Sequence, residues 1–267
     1  MSATTLEVLR WQLFAGHPLD VVVTTRHGGV SGGPYATLNL GLHVDDDEAA
    51  VLENRRRAAG GVGLELDDLV FCNQTHGRDV AVVDRSHRGR GTRSLADALD
   101  SVDALATTTP GVGVVVMMAD CVPVVLYDPV AHAVAVVHAG WGGTVQRVAE
   151  SAVTTMTDLG SQPGDILAAI GPAIEADRYQ VGDEVADAAR SAFGTDADLV
   201  VRPDGTGRWL FDLWAANRHT LLGCGLQPDN IEVSAHGTGD DRWFSDRAAR
   251  PCGRFAAIAV LHDRPAA

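Results

Sequence analysis

The sequence predicts a mixed α/β (α+β) fold: a single domain over residues 1–267, with mixed β-sheets packed together and helices on the outside. Three observations lead there. Apolar, β-branched runs of strand length recur along the chain, and helical stripes interleave with them irregularly. The Gly-rich loop near the N-terminus does not spell G-x-G-x-x-G, so a doubly wound dinucleotide-binding fold has no support. The chain shows no internal repeat, low-complexity tract or long linker. Its 267 residues, 46% hydrophobic and 21% charged, suit a globular chain with a substantial core.

Taken in order, Val21 to Thr25 reads as a strand and Arg26 to Gly33 (RHGGVSGG) as a flexible Gly-rich loop. Asp46 to Ala59 reads as a polar helix ended by Gly60-Gly61. Val70 to Cys72 and Val80 to Val83 are short strands flanking the polar turn NQTHGRD. Val112 to Met118, Val122 to Tyr127 and Ala133 to Val137 are apolar runs with short breaks, the pattern of buried strands. Thr144 to Leu159 carries one helical stripe (Val145, Val148, Ala149, Ala152, Val153, Met156, Leu159), with Gly160 as its stop. Ile166 to Ile170 is a strand. Asp183 to Phe193 and Asp212 to Leu222 are helices with Asp as N-cap. Ile231 to Ser234 and Phe255 to Leu261 are late strands.

A formal net charge of -14 argues against a general nucleic-acid binder, which needs a basic face. The chain contains no Lys, which excludes Schiff-base catalysis and the P-loop lysine. The N-terminal residues lack the basic start and long apolar core of a signal peptide, and the most apolar run, Gly111 to Ala119, is too short to span a bilayer. A cytoplasmic location is therefore expected, with no membrane partner. Cys72, Cys121, Cys224 and Cys252 are then expected as reduced thiols or metal ligands.

Three polar motifs interrupt the apolar strands: NQTHG around His76, MADCVP around Cys121 and VHAGWGG around His138. Two imidazoles and one thiolate leave a fourth position open, as in catalytic zinc sites. Spacing alone favours the plainer reading of a buried thiol and two hydrogen-bonded core histidines. Asp120, a carboxylate in an apolar stretch, needs a partner or a function; it can orient a ligand histidine or cap a turn. Gly140, Gly142 and Gly143 lead into a helix, where backbone N–H groups can receive a phosphate, although a tight strand-to-helix turn also favours glycine. Arg26 is a candidate bidentate donor to phosphate. His27, Asn39 and His43 lie in the same stretch, with His43 otherwise an exposed loop residue.

Together these motifs resemble the laccase-domain family, also called YfiH-like or polyphenol oxidase-like, several members of which are purine nucleoside phosphorylases. The matching stretches are TTRHGGVSGGPYATLNLGLHVDDD, NQTHG, SVDALATTTPGVGVVVMMADCVPVVLYDP, VHAGWGGTV, AIGPAI and YQVGDEV, with weaker matches at WFSDRA and GRFAAIAVL. The resemblance implies zinc on His76, Cys121 and His138. It implies phosphorolysis of adenosine, inosine, guanosine or methylthioadenosine to free base and (methylthio)ribose 1-phosphate, with adenosine deamination as a further activity. On that footing Asp120, Arg26 and Asn39 are the catalytic candidates, and Arg26, Gln74, Gly142, Gly143 and Arg247 the candidates for substrate or phosphate. The chain departs from the family where a basic residue commonly follows the HAGW tryptophan and Gly142 stands here, which moves weight onto Arg26 or Arg247. DRYQVG replaces CCYEVG, FSDRA replaces FSYRR, and His236 stands at a family cysteine. The alternatives are a copper polyphenol oxidase, a cysteine hydrolase with Cys121 as nucleophile and His138 as base, and a non-enzymatic module with a structural metal. A multicopper oxidase also needs a separate histidine-rich cluster, and no H-x-H motif occurs.

Overall fold

The structure is a computed structural model, and it describes residues 6–234 and 236–264. The expected span of 1–267 thus extends at both ends beyond the described residues. Two mixed sheets form the centre. One has five strands in the order Val8–Leu9, Leu19–Thr24, Phe255–Leu261, Gly113–Met118 and Leu69–Val70. The other has six, in the order Ile231–Val233, Leu167–Ile170, Val122–Asp128, Ala133–Ala139, Ala104–Thr107 and Val80–Val82. The long neighbours pair antiparallel, as does the edge strand Val8–Leu9, and the edge strands Leu69–Val70, Ile231–Val233 and Val80–Val82 add parallel pairs.

Period-two alternation assigns each side chain to a layer. In Gly113–Met118, Val114, Val116 and Met118 face the second sheet, while Val115 and Met117 face outward. In Val122–Asp128, Val125 and Tyr127 face the first sheet, while Val122, Val124 and Leu126 face the helices. The helix Glu48–Gly60 covers the first sheet, Val148–Asp158 and Leu213–Gly223 cover the second, and Asp183–Phe193 joins the same core beside them, packed on the short strands Val201–Pro203 and Trp209–Phe211. Strands buried on both faces need continuous apolar sequence, which is why these runs lack polar alternation.

Most expected elements are present, with four instructive differences. Val70 to Cys72 is not one strand. Phe71 donates its N–H to the Arg90 carbonyl, so Leu69–Val70 stays in the first sheet and Cys72–Asn73 pairs with Leu99–Asp100. Thr144 to Leu159 is not one helix either. It divides into Trp141–Val145 and Val148–Asp158, joined by Arg147 in the left-handed region at φ 62. Asp212 caps its helix by accepting from the Ala215 N–H, whereas Asp183 is already inside its helix and accepts from Trp209 Nε1. The loop expected to be flexible at Arg26 to Gly33 is pinned. Val30 N–H donates to Asn54 Oδ1 at 2.8 Å, and the Arg26 carbonyl accepts from Thr37 and Leu38.

Candidate metal centre

The chain passes from the first sheet to the second over residues 119–121, between Gly113–Met118 and Val122–Asp128. That crossing is sharp, and Asp120 takes φ 81 within it. Cys121 therefore emerges at the junction of the sheets. His138 lies near the end of Ala133–Ala139, opposite Pro123 in the ladder, which sets it beside Cys121. His76 comes from the turn before Val80–Val82. The ligand atoms of the three side chains all lie within 4.8 Å of one another. Among the described residues this is the one such group of three or more His, Cys, Asp or Glu side chains.

The donors fit a metal ion. Cys121 Sγ lies 3.8 Å from His76 Nε2, near the ~3.6 Å that a thiolate and an imidazole on one tetrahedral zinc require. The two imidazoles meet edge to face with centroids 4.8 Å apart. Burial opposes ionisation of Cys121, but the His138 charge and hydrogen bonds from both histidines outweigh it and lower its pKa. His138 moves the other way. Burial resists its charge, yet Cys121 and Asp103 raise its pKa above the ordinary histidine value. Both shifts favour the thiolate–imidazolium pair, and a metal held by the trio would take the thiolate and displace the proton from His138.

Asp103 organises this arrangement. It is fully buried at the start of Ala104–Thr107. One carboxylate oxygen accepts from His138 Nδ1 at 2.8 Å and from the His76 N–H at 2.9 Å. The other accepts from the N–H groups of Thr75 and Gly77 at 3.1 and 2.7 Å. The first contact leaves His138 Nε2 to face the trio. The others hold the turn in which His76 adopts φ 60, a conformation that costs an ordinary residue roughly 1–2 kcal/mol. Burial raises the Asp103 pKa, but His138 and the backbone donors overcome it and hold it at about 2.

The glycines after His138 are required by proximity. A Cβ on Gly140 would sit 2.6 Å from His76 Cδ2 and 3.0 Å from Cys121 Sγ. On Gly142 and Gly143 it would meet the carbonyl oxygens of His76 and Gly77 at 3.0 and 2.8 Å. Gly142 and Gly143 are buried against the His76 turn, so close backbone packing explains them without an anion.

The trio opens onto a cleft of about 700 Å³. Trp141, Tyr179, Gln74 and Asp120 line it, with Arg247, Arg250, Arg254 and His43. Gln74 uses its carboxamide on Met117, donating to the carbonyl at 2.6 Å and accepting from the N–H at 2.8 Å. Asp120 does not orient a histidine. Its oxygens accept from Thr238 Oγ1 at 2.6 Å and the Arg247 N–H at 2.7 Å. Arg247 lies over the Tyr179 ring, 5.2 Å from its centroid, and donates to the Gln180 carbonyl. Arg26 is elsewhere: it lines a separate pocket of about 180 Å³, packed over Phe244. Asn39 is fully buried, accepting from Gly41 and Arg254 N–H groups and donating to Asp46. The structure thus gathers the trio with Asp120, Gln74 and Arg247, and leaves Arg26 and Asn39 outside the cleft lining. Asp103, Tyr179, Arg250 and Arg254 were not picked out by spacing. A carboxylate in the apolar SVDALA run was the one signal for Asp103.

A two-sheet α/β scaffold with a His–Cys–His group at the sheet junction defines the class, and comparison places the chain within it. Residues 20–262 match the family model described as multi-copper polyphenol oxidoreductase laccase, and the chain belongs to that family. It is 41% identical over 240 residues to purine nucleoside phosphorylase YlmD of Geobacillus stearothermophilus, covering 88% of each chain. It is 44% identical over 214 residues to adenosine deaminase RL5 from an unknown prokaryotic organism, covering 80% of this chain and 82% of that one. The crystal structure of YlmD from Geobacillus stearothermophilus superposes with a TM-score of 0.92 at 38% identity, covering 97% of this chain and 99% of that one. That of Bacillus licheniformis hypothetical protein YfiH gives 0.89 at 36%, covering 91% and 92%. The chain is an enzyme. No helix among the described residues is long and apolar enough to cross a membrane.

Proposed function

We propose that this enzyme is a zinc-dependent purine nucleoside phosphorylase, acting on adenosine, inosine, guanosine or methylthioadenosine, with His76, Cys121 and His138 as metal ligands. The observation that carries the reading is the trio itself, oriented by buried Asp103 and open to a cleft with aromatic and arginine walls. When bound, zinc supplies a positive charge and an open coordination position for an oxygen ligand. In phosphorolysis a phosphate oxygen bonds to the anomeric carbon as the glycosidic bond breaks, its electron pair leaving on the base. The cleft holds both reactants at that carbon. Trp141 and Tyr179 give the cleft aromatic surface for the purine, and the cationic side chains of the cleft favour the phosphate.

Adenosine deamination is the second reading, supported by the likeness to adenosine deaminase RL5. It needs a carboxylate free to move protons beside the metal. Both Asp120 oxygens are hydrogen-bonded, and Asp103 is buried behind His138. That arrangement favours phosphorolysis. A multicopper oxidase would need further histidine-rich ligation, and the described residues contain one three-ligand group.

Purified enzyme incubated with adenosine or inosine, with and without phosphate, tests the reading. Free base and ribose 1-phosphate formed only with phosphate are expected. Inosine and ammonia formed from adenosine without phosphate, with no free base, would overturn it in favour of deamination.

A further inference from the structure

Arg55 carries a charge that no carboxylate answers. Its side chain is fully buried, and among the described residues it joins no ion pair. It donates to the carbonyls of Leu40, Gly91 and Thr92, and its ring neighbour is Phe71, 4.0 Å from the guanidinium carbon. Its remaining nitrogen faces Met117 Sδ at 3.7 Å, and Met117 lines the cleft. A buried cation without a counter-charge is destabilising. Its field is weakly screened by the low-dielectric wall in front of it.

Two cleft residues stand beside this charge. A Cβ on Gly41 would lie 2.9 Å from Arg254 Cγ and 3.3 Å from His43 Cε1, so both flank one turn. Buried Asn39 fixes that turn, accepting from the N–H groups of Gly41 and Arg254 at 2.9 and 2.8 Å. Desolvation and the charges of Arg254 and Arg55 push the His43 pKa down to about 4. The carboxylate of this wall, Asp246, is engaged by Arg250 Nε at 2.6 Å and pairs at 3.7 Å with Arg254 Nη2, while Arg254 Nη1 donates to the Cys252 and Gly253 carbonyls at 3.0 Å, which leaves Nε and the Nη2 edge of Arg254 for an incoming anion. That wall sets three arginines (Arg247, Arg250 and Arg254) against the one carboxylate of Asp246, whereas Cys121, Asp103 and Asp120 stand at the trio. The cleft therefore has an anionic side that suits a metal and a cationic wall that suits an anion.

We propose that Arg254 and His43, backed by buried Arg55, form a phosphate-group subsite on a wall that the metal ligands do not supply. The group arrives either as free phosphate or as the 5′-phosphate of a nucleotide. The subsite rests on the reading of the cleft as a purine nucleoside site. Arg254 supplies a planar cationic donor, neutral His43 a ring N–H, and Arg55 the long-range charge.

Calorimetric titration of the zinc-loaded enzyme with inorganic phosphate, AMP and adenosine tests this. Arg254→Gln should weaken phosphate and AMP binding at least tenfold, with zinc content unchanged and adenosine affinity within twofold. His43→Ala should weaken them severalfold. Arg55→Met removes three backbone hydrogen bonds and can unfold the chain, so the Arg254→Gln and His43→Ala variants carry the test. Phosphate binding alongside adenosine identifies free phosphate as the source. AMP binding tighter than adenosine, with the advantage lost in Arg254→Gln, identifies the nucleotide. The subsite is overturned if Arg254→Gln binds phosphate and AMP within twofold of the parent, or if the parent binds neither. Failure of the nucleoside reading shows separately, as no phosphate-dependent base release by the parent enzyme.

Discussion

Asp103 shows how much one buried carboxylate can set. It fixes the tautomer of His138 and the turn of His76 together, so its loss should loosen both imidazoles. Asp103→Asn is expected to weaken zinc binding by about 10- to 100-fold, measured by competition with a chromophoric chelator. The same residue predicts a pH dependence. Its folded pKa of about 2 lies below the unfolded value near 3.9, so its contribution is fully present above about pH 5 and is lost as pH falls through 2. The contribution is on the order of 2 kcal/mol. The stability gap between the parent metal-free protein and Asp103→Asn should close as pH falls across that window, as followed by urea unfolding. An unchanged gap would show that the carboxylate is not ionised against these partners. The contribution of Asp103 was hard to read in sequence because its partners lie 26 to 35 residues away. Arg26 and Asn39 show the complementary limit: a dense motif marks residues but not the direction of their side chains, and both lie outside the cleft lining.

At the scale of the element, strand ends and tight turns deliver the ligands. The Gly113–Met118 and Val122–Asp128 runs were legible because strands buried on both faces are continuously apolar. Phe255–Leu261 matches its expected bounds for the same reason. Two-residue ladders such as Cys72–Asn73 carry no periodicity and were not legible. The helix after His138 reads as one in sequence because the apolar stripe continues through it, yet Arg147 takes the left-handed region and divides it. Gly140 marks how closely the strand passes the ligands. Gly140→Ala should drive a methyl into His76 and Cys121 and reduce zinc stoichiometry well below one, as read by metal analysis. Full zinc occupancy in that variant would contradict the geometry described here.

Across the whole molecule, two sheets share one inner core while helices cover their outer faces. The fold class was legible from irregular interleaving of strand and helix patterns; the order of strands was not, because pairing such as Phe255–Leu261 with Leu19–Thr24 joins the two ends of the chain. Leu126, fully buried under the helices, should cost about 2–5 kcal/mol when replaced by Ala, seen as a lowered denaturation midpoint with zinc affinity retained. Zinc at a hundredfold above its Kd should raise the stability of the parent by about 2.7 kcal/mol, a gain absent once the ligands are removed.

The most direct test of the central claim compares the parent with a His76→Ala, Cys121→Ala double variant for zinc content and phosphate-dependent release of base from inosine. The parent is predicted to hold one zinc and release base in step with ribose 1-phosphate. The double variant, folded by circular dichroism, is predicted to do neither. Parent-like turnover in the double variant would contradict the assignment of catalysis to this site.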